Sequence, residues 1–293
     1  MPPNDKGRPK GALEETRPRG HGRARGLTSS RVSGSRVEAG TFAAPTAVAS
    51  VVGGLWWGRW DLRGQRDHVT ELLGDPCVHV VCERGDDGDV ARVVGVWSRL
   101  WTRRLTGRGQ VRGLKLRIGA AAQLLPVPAR QVTDRRVPLE ELFPETRGLA
   151  SAVMSAPREE GLQVLVAWAR TMLRPTVEGQ EVIALAEGIG PAGVLRVDEL
   201  AERSGRTVRW LQRRFRHHVG LSPKAVKTHV RMVFEHSFSA LLRRGACVQQ
   251  SEHVLHDTLL DLRTCCSVSF SRSTVSMRRL NSCSVMVRGC TTI

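Results

Sequence analysis

The sequence predicts an α+β protein: a β-rich, barrel-like N-terminal domain, then an all-α helix-turn-helix domain, between disordered tails. Three observations carry this. Between Leu55 and Ile118, short runs rich in β-branched and aromatic residues are broken by Gly and Asp turns. From Ala156 onward the apolar residues recur instead at three- and four-residue intervals, the helical period. Before residue 41 and after about Leu242 neither period is sustained.

Composition sets the outer bounds. With 293 residues, 41% of them hydrophobic, the chain can bury one or two cores and is long enough for about two domains. A net charge of +17 favours a polyanionic partner, nucleic acid before membrane. Arginine supplies nearly all of that charge, lysine occurring only at Lys6, Lys10, Lys115, Lys224 and Lys227. Such a skew follows coding bias in a GC-rich genome, so local placement of charge carries more weight than the total. No apolar run approaches the roughly twenty residues needed to span a bilayer. The uncharged stretch Thr41 to Trp57 after an arginine-rich start has the outline of a signal peptide. Glu38, Pro45 and the distance from Met1 argue against that reading, and a cytoplasmic protein without a membrane partner is expected.

Residues 1–40 are rich in Arg, Gly, Ser and Pro and are expected to be a disordered basic tail, an over-extended translation start being one source of it. Arg17, Arg19, Arg23 and Arg25 are placed to brush phosphates or simply to be solvated. Residues 41–148 form the expected β-rich domain. Its strands are Leu55 to Arg63, Val78 to Glu83, Ala91 to Val96, Trp101 to Leu105 and Val111 to Ile118. Gly85-Asp86-Asp87-Gly88 and Gly107-Arg108-Gly109 supply turns. Trp56, Trp57, Trp60, Trp97 and Trp101 fall here and serve either as core or as the apolar wall of a small-molecule effector pocket. His68, Cys77, His79 and Cys82 invite a metal reading, but a single Cys-x4-Cys pair is a weak zinc signal, and no metal is expected.

Residues 155–175 read as one amphipathic helix. Leu162, Leu165, Val166, Ala169, Met172 and Leu173 form its stripe with Trp168 alongside, and Pro175 stops it. It suits a linking or dimerisation role, hence a homodimer, and equally an ordinary core helix. Thr176 then caps a further helix through Val182, Leu185 and Ala186, opening the expected DNA-binding unit, 176–232. Gly188 to Gly193 matches G-x-G-x-x-G, yet a helix rather than a strand precedes it. A joint explains those glycines, and no cofactor is implied. No nucleophile elbow, His-Glu-x-x-His or Walker loop occurs, so no enzyme activity is expected.

Within 176–232, Val197, Leu200 and Ala201 share one face of a short helix cut by Ser204-Gly205. A second helix opens at Thr207, and Val208, Leu211, Phe215 and Val219 recur at helical spacing on its underside. Its outward positions are donors. Val208, Arg209, Gln212, Arg213 and Arg216 are the residues expected to meet base edges in a major groove, where arginine bridges guanine O6 and N7 and glutamine pairs with adenine. After the Gly220 stop, Ser222-Pro223 caps a third helix. Arg206, Thr207, Lys224, Lys227 and Arg231 suit phosphate contacts, which position without specifying. Acids sit away from that edge, at Asp198, Glu199 and Glu202. The plainer alternative is a surface hairpin with solvated arginines.

Leu200-Ala201-Glu202, the run Thr207 to Phe215, and Val219-Gly220-Leu221-Ser222-Pro223-Lys224 together resemble the first helix-turn-helix of the AraC-type (AraC/XylS) bacterial transcription regulators. Segments around Trp56 to Leu62, Glu71 to Val78, Val94 to Val96 and Gly107 to Arg117 are similar to an uncharacterised cupin-like domain that precedes some of these regulators. At Leu116-Arg117-Ile118-Gly119 the run departs from that pattern, with Ile118 where proline is expected. The resemblance implies a sequence-specific regulator binding double-stranded DNA, with an N-terminal sensing or dimerisation domain and a second helix-turn-helix downstream.

No second helix-turn-helix is legible. Residues 233–293 hold five of the seven cysteines, Cys247, Cys265, Cys266, Cys283 and Cys290, with much serine and no proline. One reading is a metal or redox tail through His253, His256, Cys265 and Cys266. The preferred one is a shift of reading frame near codon 231 that leaves sequence unable to fold, and so an impaired regulator. The rival from another class is a small-molecule-binding or interaction protein with a vestigial DNA reader.

Overall fold

The computed structural model describes residues 37–65, 67–72, 76–99, 101–189 and 196–242, together with the short strands at 15–16 and 27–29. The β-rich region comes first. After β1 (Glu15–Thr16) and β2 (Leu27–Ser29), it contains β3 (Val37–Phe42), β4 (Val52–Asp61), β5 (His68–Leu72), β6 (His79–Gly85), β7 (Gly88–Val94), β8 (Trp101–Leu105), β9 (Arg108–Leu116) and β10 (Arg136–Pro138). Helices follow: α1 (Leu139–Leu142), α2 (Leu149–Ser155), α3 (Arg158–Met172), α4 (Val177–Glu187), α5 (Val197–Ser204), α6 (Val208–His218) and α7 (Pro223–Leu242).

Two antiparallel sheets make up the first region. The larger runs β1-β3-β4-β9-β6-β7-β10 and the smaller β2-β5-β8. Gly85 pairs with Gly88 across the expected two-residue turn at Asp86-Asp87. The strand boundaries expected from the β-like runs and the turns between them hold to within a few residues for β4, β6, β7, β8 and β9. Three elements go beyond that expectation. β3 begins at Val37, inside the stretch assigned to the basic tail, because its whole length pairs with β4 from Val37↔Trp60 to Phe42↔Leu55. β5 and β10 are short and owe their form to partners far along the chain, β2 and β8 for β5 and β7 for β10.

The faces of the large sheet have different covers. Leu55, Trp57, Val80, Cys82, Val93, Leu114 and Leu116 point to one side, into the main core. Helices α2 and α3 close that side. Leu162, Leu165 and Ala169 of the α3 stripe are fully buried, while Val166, Met172 and Leu173 are half-buried, so this helix is first of all core. The buried Arg112 guanidinium on β9 donates to the carbonyls of Val153 and Ala156 and thereby closes the C-terminal end of α2. On the other side Trp60, Leu62, Val81, Leu105 and Val111 form a second cluster beneath β8. Cys82 is fully buried, and burial pushes its thiol up to about 12. Trp56 Nε1 donates to His79 Nδ1 over 3.1 Å. Among the described residues no group of His, Cys, Asp or Glu is arranged to hold a metal ion.

Further polar contacts tie the later helices to the β-rich region. Arg117, just past β9, forms a bidentate pair with Glu187 of α4 at 2.8 and 2.5 Å. The Gln123 side-chain oxygen accepts from the Thr176 N–H and from Gln180 Nε2 at the start of α4. Thr133 Oγ1 donates to the Gly220 carbonyl after α6. The main core accordingly runs without a break from Phe42 to Val226. Gly190 to Gly193 of the glycine string lie outside the described residues, as do His253, His256 and the five cysteines of the C-terminal stretch. Among the described residues no helix is long and apolar enough to cross a membrane.

Candidate nucleic-acid interface

Helix α4 supplies the floor of the site. Thr176 caps it, its hydroxyl accepting from the Gly179 N–H at 3.0 Å, and Val182, Ile183 and Ala186 are buried against the core. Helix α5 opens where Glu199 accepts from the Arg196 N–H at 2.6 Å. It ends at Gly205, whose φ of 63° is the left-handed conformation glycine tolerates without strain. Ser204 Oγ bonds back to Leu200 O, tightening the last turn. Two residues later Thr207 caps α6 by accepting from the Trp210 N–H at 3.2 Å. α6 in turn stops at Gly220, φ 93°, and Ser222 Oγ accepts from the Ala225 N–H to start α7.

Three stripes divide α6. Leu211, Phe215 and Val219 are buried, as their spacing predicts. Val208 is not: expected on the underside, it is 37% exposed, in the first turn of the helix. A second stripe, Arg206, Trp210, Arg214 and His218, repeats every four residues and faces α4. Arg206 chelates Glu181 at 2.8 and 2.9 Å and lies 4.8 Å from the Trp210 ring centre. Arg214 reaches Glu178 at 2.6 Å, and His218 Nε2 meets the same carboxylate at 3.2 Å. Burial holds the His218 imidazole below its ordinary range, outweighing the opposing pull of Glu178. His217 is lowered too, chiefly by burial and then by Arg214.

The third stripe is Arg209, Gln212, Arg213 and Arg216. All four are exposed, and none makes a hydrogen bond or ion pair among the described residues. Each is therefore available to an external acceptor. Of the residues expected at phosphates, Thr207, Lys224 and Arg231 are exposed and Lys227 is half-buried. Arg206 is already engaged with Glu181. Sequence reasoning missed Trp210, Arg214 and His218. Their four-residue repeat was visible, but the acids that meet them lie far back on α4.

The architecture is thus that of a β-rich unit carrying a helical pair whose free edge is basic. Residues 41–138 match a protein family described as a domain of unknown function (DUF6597), a match ending where β10 ends and α1 begins. No curated protein and no solved structure matches the chain.

Proposed function

We propose that the chain is a sequence-specific, double-stranded-DNA-binding transcription regulator of AraC type, acting in the cytoplasm. The single observation that carries the reading is the free edge of α6, on which three guanidinium groups and one carboxamide stand unpaired beside no acid of their own helix. An α-helix fits the major groove, and these are the side chains that pair with guanine and adenine there. The likeness of Leu200 to Lys224 to the AraC-type pattern supports the same reading, as does a β-rich unit in the position of a sensor. α7 then offers Lys224 and Arg231 to the flanking phosphates, with Lys227 beside them.

The experiment is selection of duplexes from a random pool by the full chain, followed by mobility shifts at stated salt. A motif should be enriched. Arg209→Ala and Gln212→Ala should relax it at one position each, by about 1–3 kcal/mol of discrimination. Lys224→Ala should weaken all duplexes alike and lower the salt slope by about one. Equal, weak affinity for every sequence, unchanged by Arg209→Ala, would leave a polyanion binder and remove the regulator.

A further inference from the structure

Between the two sheets, on the face of the large sheet away from α2 and α3, two guanidinium groups meet one carboxylate and a third stands near them. Glu83 of β6 is met by Arg103 of β8 at 2.7 Å, a pair whose side chains are 16% and 19% exposed. Its second oxygen lies 3.6 Å from Arg136 of β10, too long for a hydrogen bond, and is buried with no hydrogen-bond partner among the described residues. Arg136 stands at the rim, 37% exposed, 6.0 Å from the Trp101 ring centre. Trp101 stacks on Trp97 with ring centres 5.4 Å apart.

Register adds the third guanidinium. Arg136 pairs with Val94 and Pro138 with Arg92, which places Arg92 diagonally across from Arg136 on the same face. Arg92 also sits directly opposite Val81, a member of the cluster between the sheets. It is half-buried and makes no hydrogen bond or ion pair among the described residues. Arg136 is held below the ordinary guanidinium range, first by burial and next by repulsion from Arg92. A chain that merely needed to seal its small sheet would gain nothing from two like charges placed diagonally at a partly dry rim.

We propose that Arg92 and Arg136, with Trp101 as a wall, form a binding site for a small oxyanion, a carboxylate or a phosphate, between the two sheets of the β-rich unit. Two guanidinium forks match the paired oxygens of either group, and the indole face of Trp101 keeps the Arg136 fork oriented. Glu83 pairs closely with Arg103 at 2.7 Å and only loosely with Arg136 at 3.6 Å, so one carboxylate faces these guanidinium groups and the cluster keeps a net positive charge. The site stands apart from the DNA reading: α6 has no part in it. If both hold, the oxyanion is the effector of the regulator.

The full chain is titrated with inorganic phosphate and, separately, with succinate at constant ionic strength, following tryptophan fluorescence and melting temperature. One or both should bind saturably below about 10 mM. Arg92→Gln and Arg136→Gln should each weaken binding roughly ten-fold or more, whereas Arg209→Gln on α6 should leave it unchanged. Which probe saturates distinguishes a phosphate ligand from a carboxylate. Without anion, Arg92→Gln should melt no lower than the parent chain, since it relieves repulsion; that result shows the variant is folded. Failure of both probes to saturate, or equal binding by the parent and both variants, overturns the site. Loss in Arg209→Gln alone would assign the anion to α6. Duplex binding by Arg92→Gln, measured in parallel, keeps the two readings separable.

Discussion

Thr133 Oγ1 lies 3.2 Å from the Gly220 carbonyl and shares its proton between that oxygen and the carbonyl of Ala129. A loop of the β-rich unit is thereby bonded to the turn that ends α6. Gly220 has φ 93°, and a methyl there would strike both Thr133 Oγ1 and the Ala129 backbone. The Gly220→Ala substitution should therefore cost roughly 1–3 kcal/mol, from left-handed strain together with lost docking. Thr133→Val, which removes the bond and keeps the shape, should cost about 1 kcal/mol. Thermal melts of the two variants check this, and a Gly220→Ala chain as stable as its parent would show the turn is free of the sheet.

A second contact between the same parts is ionic. Arg117 and Glu187 face each other at 2.5 Å with side chains 19% and 7% exposed. Removing one partner strands the other in a mostly dry place, so Glu187→Ala should destabilise by about 2–4 kcal/mol. The double change Arg117→Met with Glu187→Leu should recover most of that loss, because the cost lies in the orphaned charge rather than in the pair itself. A double-mutant cycle by denaturant titration reads both numbers.

His218 makes stability depend on pH. Its folded-state affinity for protons is below the ordinary imidazole value, because it is buried beside His217 and Arg214, with Glu178 opposing. The unfolded chain then binds more protons than the folded one as pH falls through the usual imidazole range. Stability is full above that range, declines as pH drops through the unfolded value, and levels off below the lower folded value. His217 is shifted in the same direction and adds to the slope. Melting temperatures between pH 7.5 and 5 should fall more steeply for the parent than for His218→Gln. Equal slopes would mean that His218 is not held neutral by the fold.

What the sequence disclosed was mostly local. Thr176, Thr207 and Ser222 each cap the helix that follows within three residues, so their chemistry is readable without knowledge of the fold. The long strands β4 and β9 were legible because both of their faces are covered, which leaves nearly continuous runs of apolar and aromatic residues between turn signals. β3, β5 and β10 were not, since each is made a strand by a partner elsewhere in the chain. The tryptophans illustrate both cases. Trp56 and Trp60 lie flat over Gly113 and Gly109, so the glycines of β9 are space for indoles rather than turn signals. The outward stripe of α6 followed from its period, whereas Arg206, Arg214 and His218 acquire their roles from Glu178 and Glu181 of α4, which no spacing rule connects to them.

That reading of Gly113 can be checked directly. Its methyl would overlap the Trp56 indole, which is itself held by His79. Gly113→Ala should lower stability by about 1–3 kcal/mol through overpacking, and the added change Trp56→Leu should restore part of it by vacating the same space. Strictly additive losses in the pair would place the indole elsewhere.

Arg206 stands at the N-terminal end of α6, where a duplex phosphate would come if the helix enters a major groove, yet its guanidinium is chelated by Glu181 and rests on Trp210. Binding DNA with Glu181 in place carries a carboxylate close to the phosphate backbone, and like charges oppose one another there. Glu181→Ala should therefore raise affinity for all duplexes together, several-fold at low salt, and steepen the salt slope by up to about one. The preferred sequence should not change, because neither residue belongs to the stripe of Arg209, Gln212, Arg213 and Arg216. Adding Arg206→Ala should cancel the steeper slope. If Glu181→Ala alters the selected motif instead, Glu181 acts by fixing the position of α6, and Arg206 belongs to the scaffold rather than to the phosphate contacts.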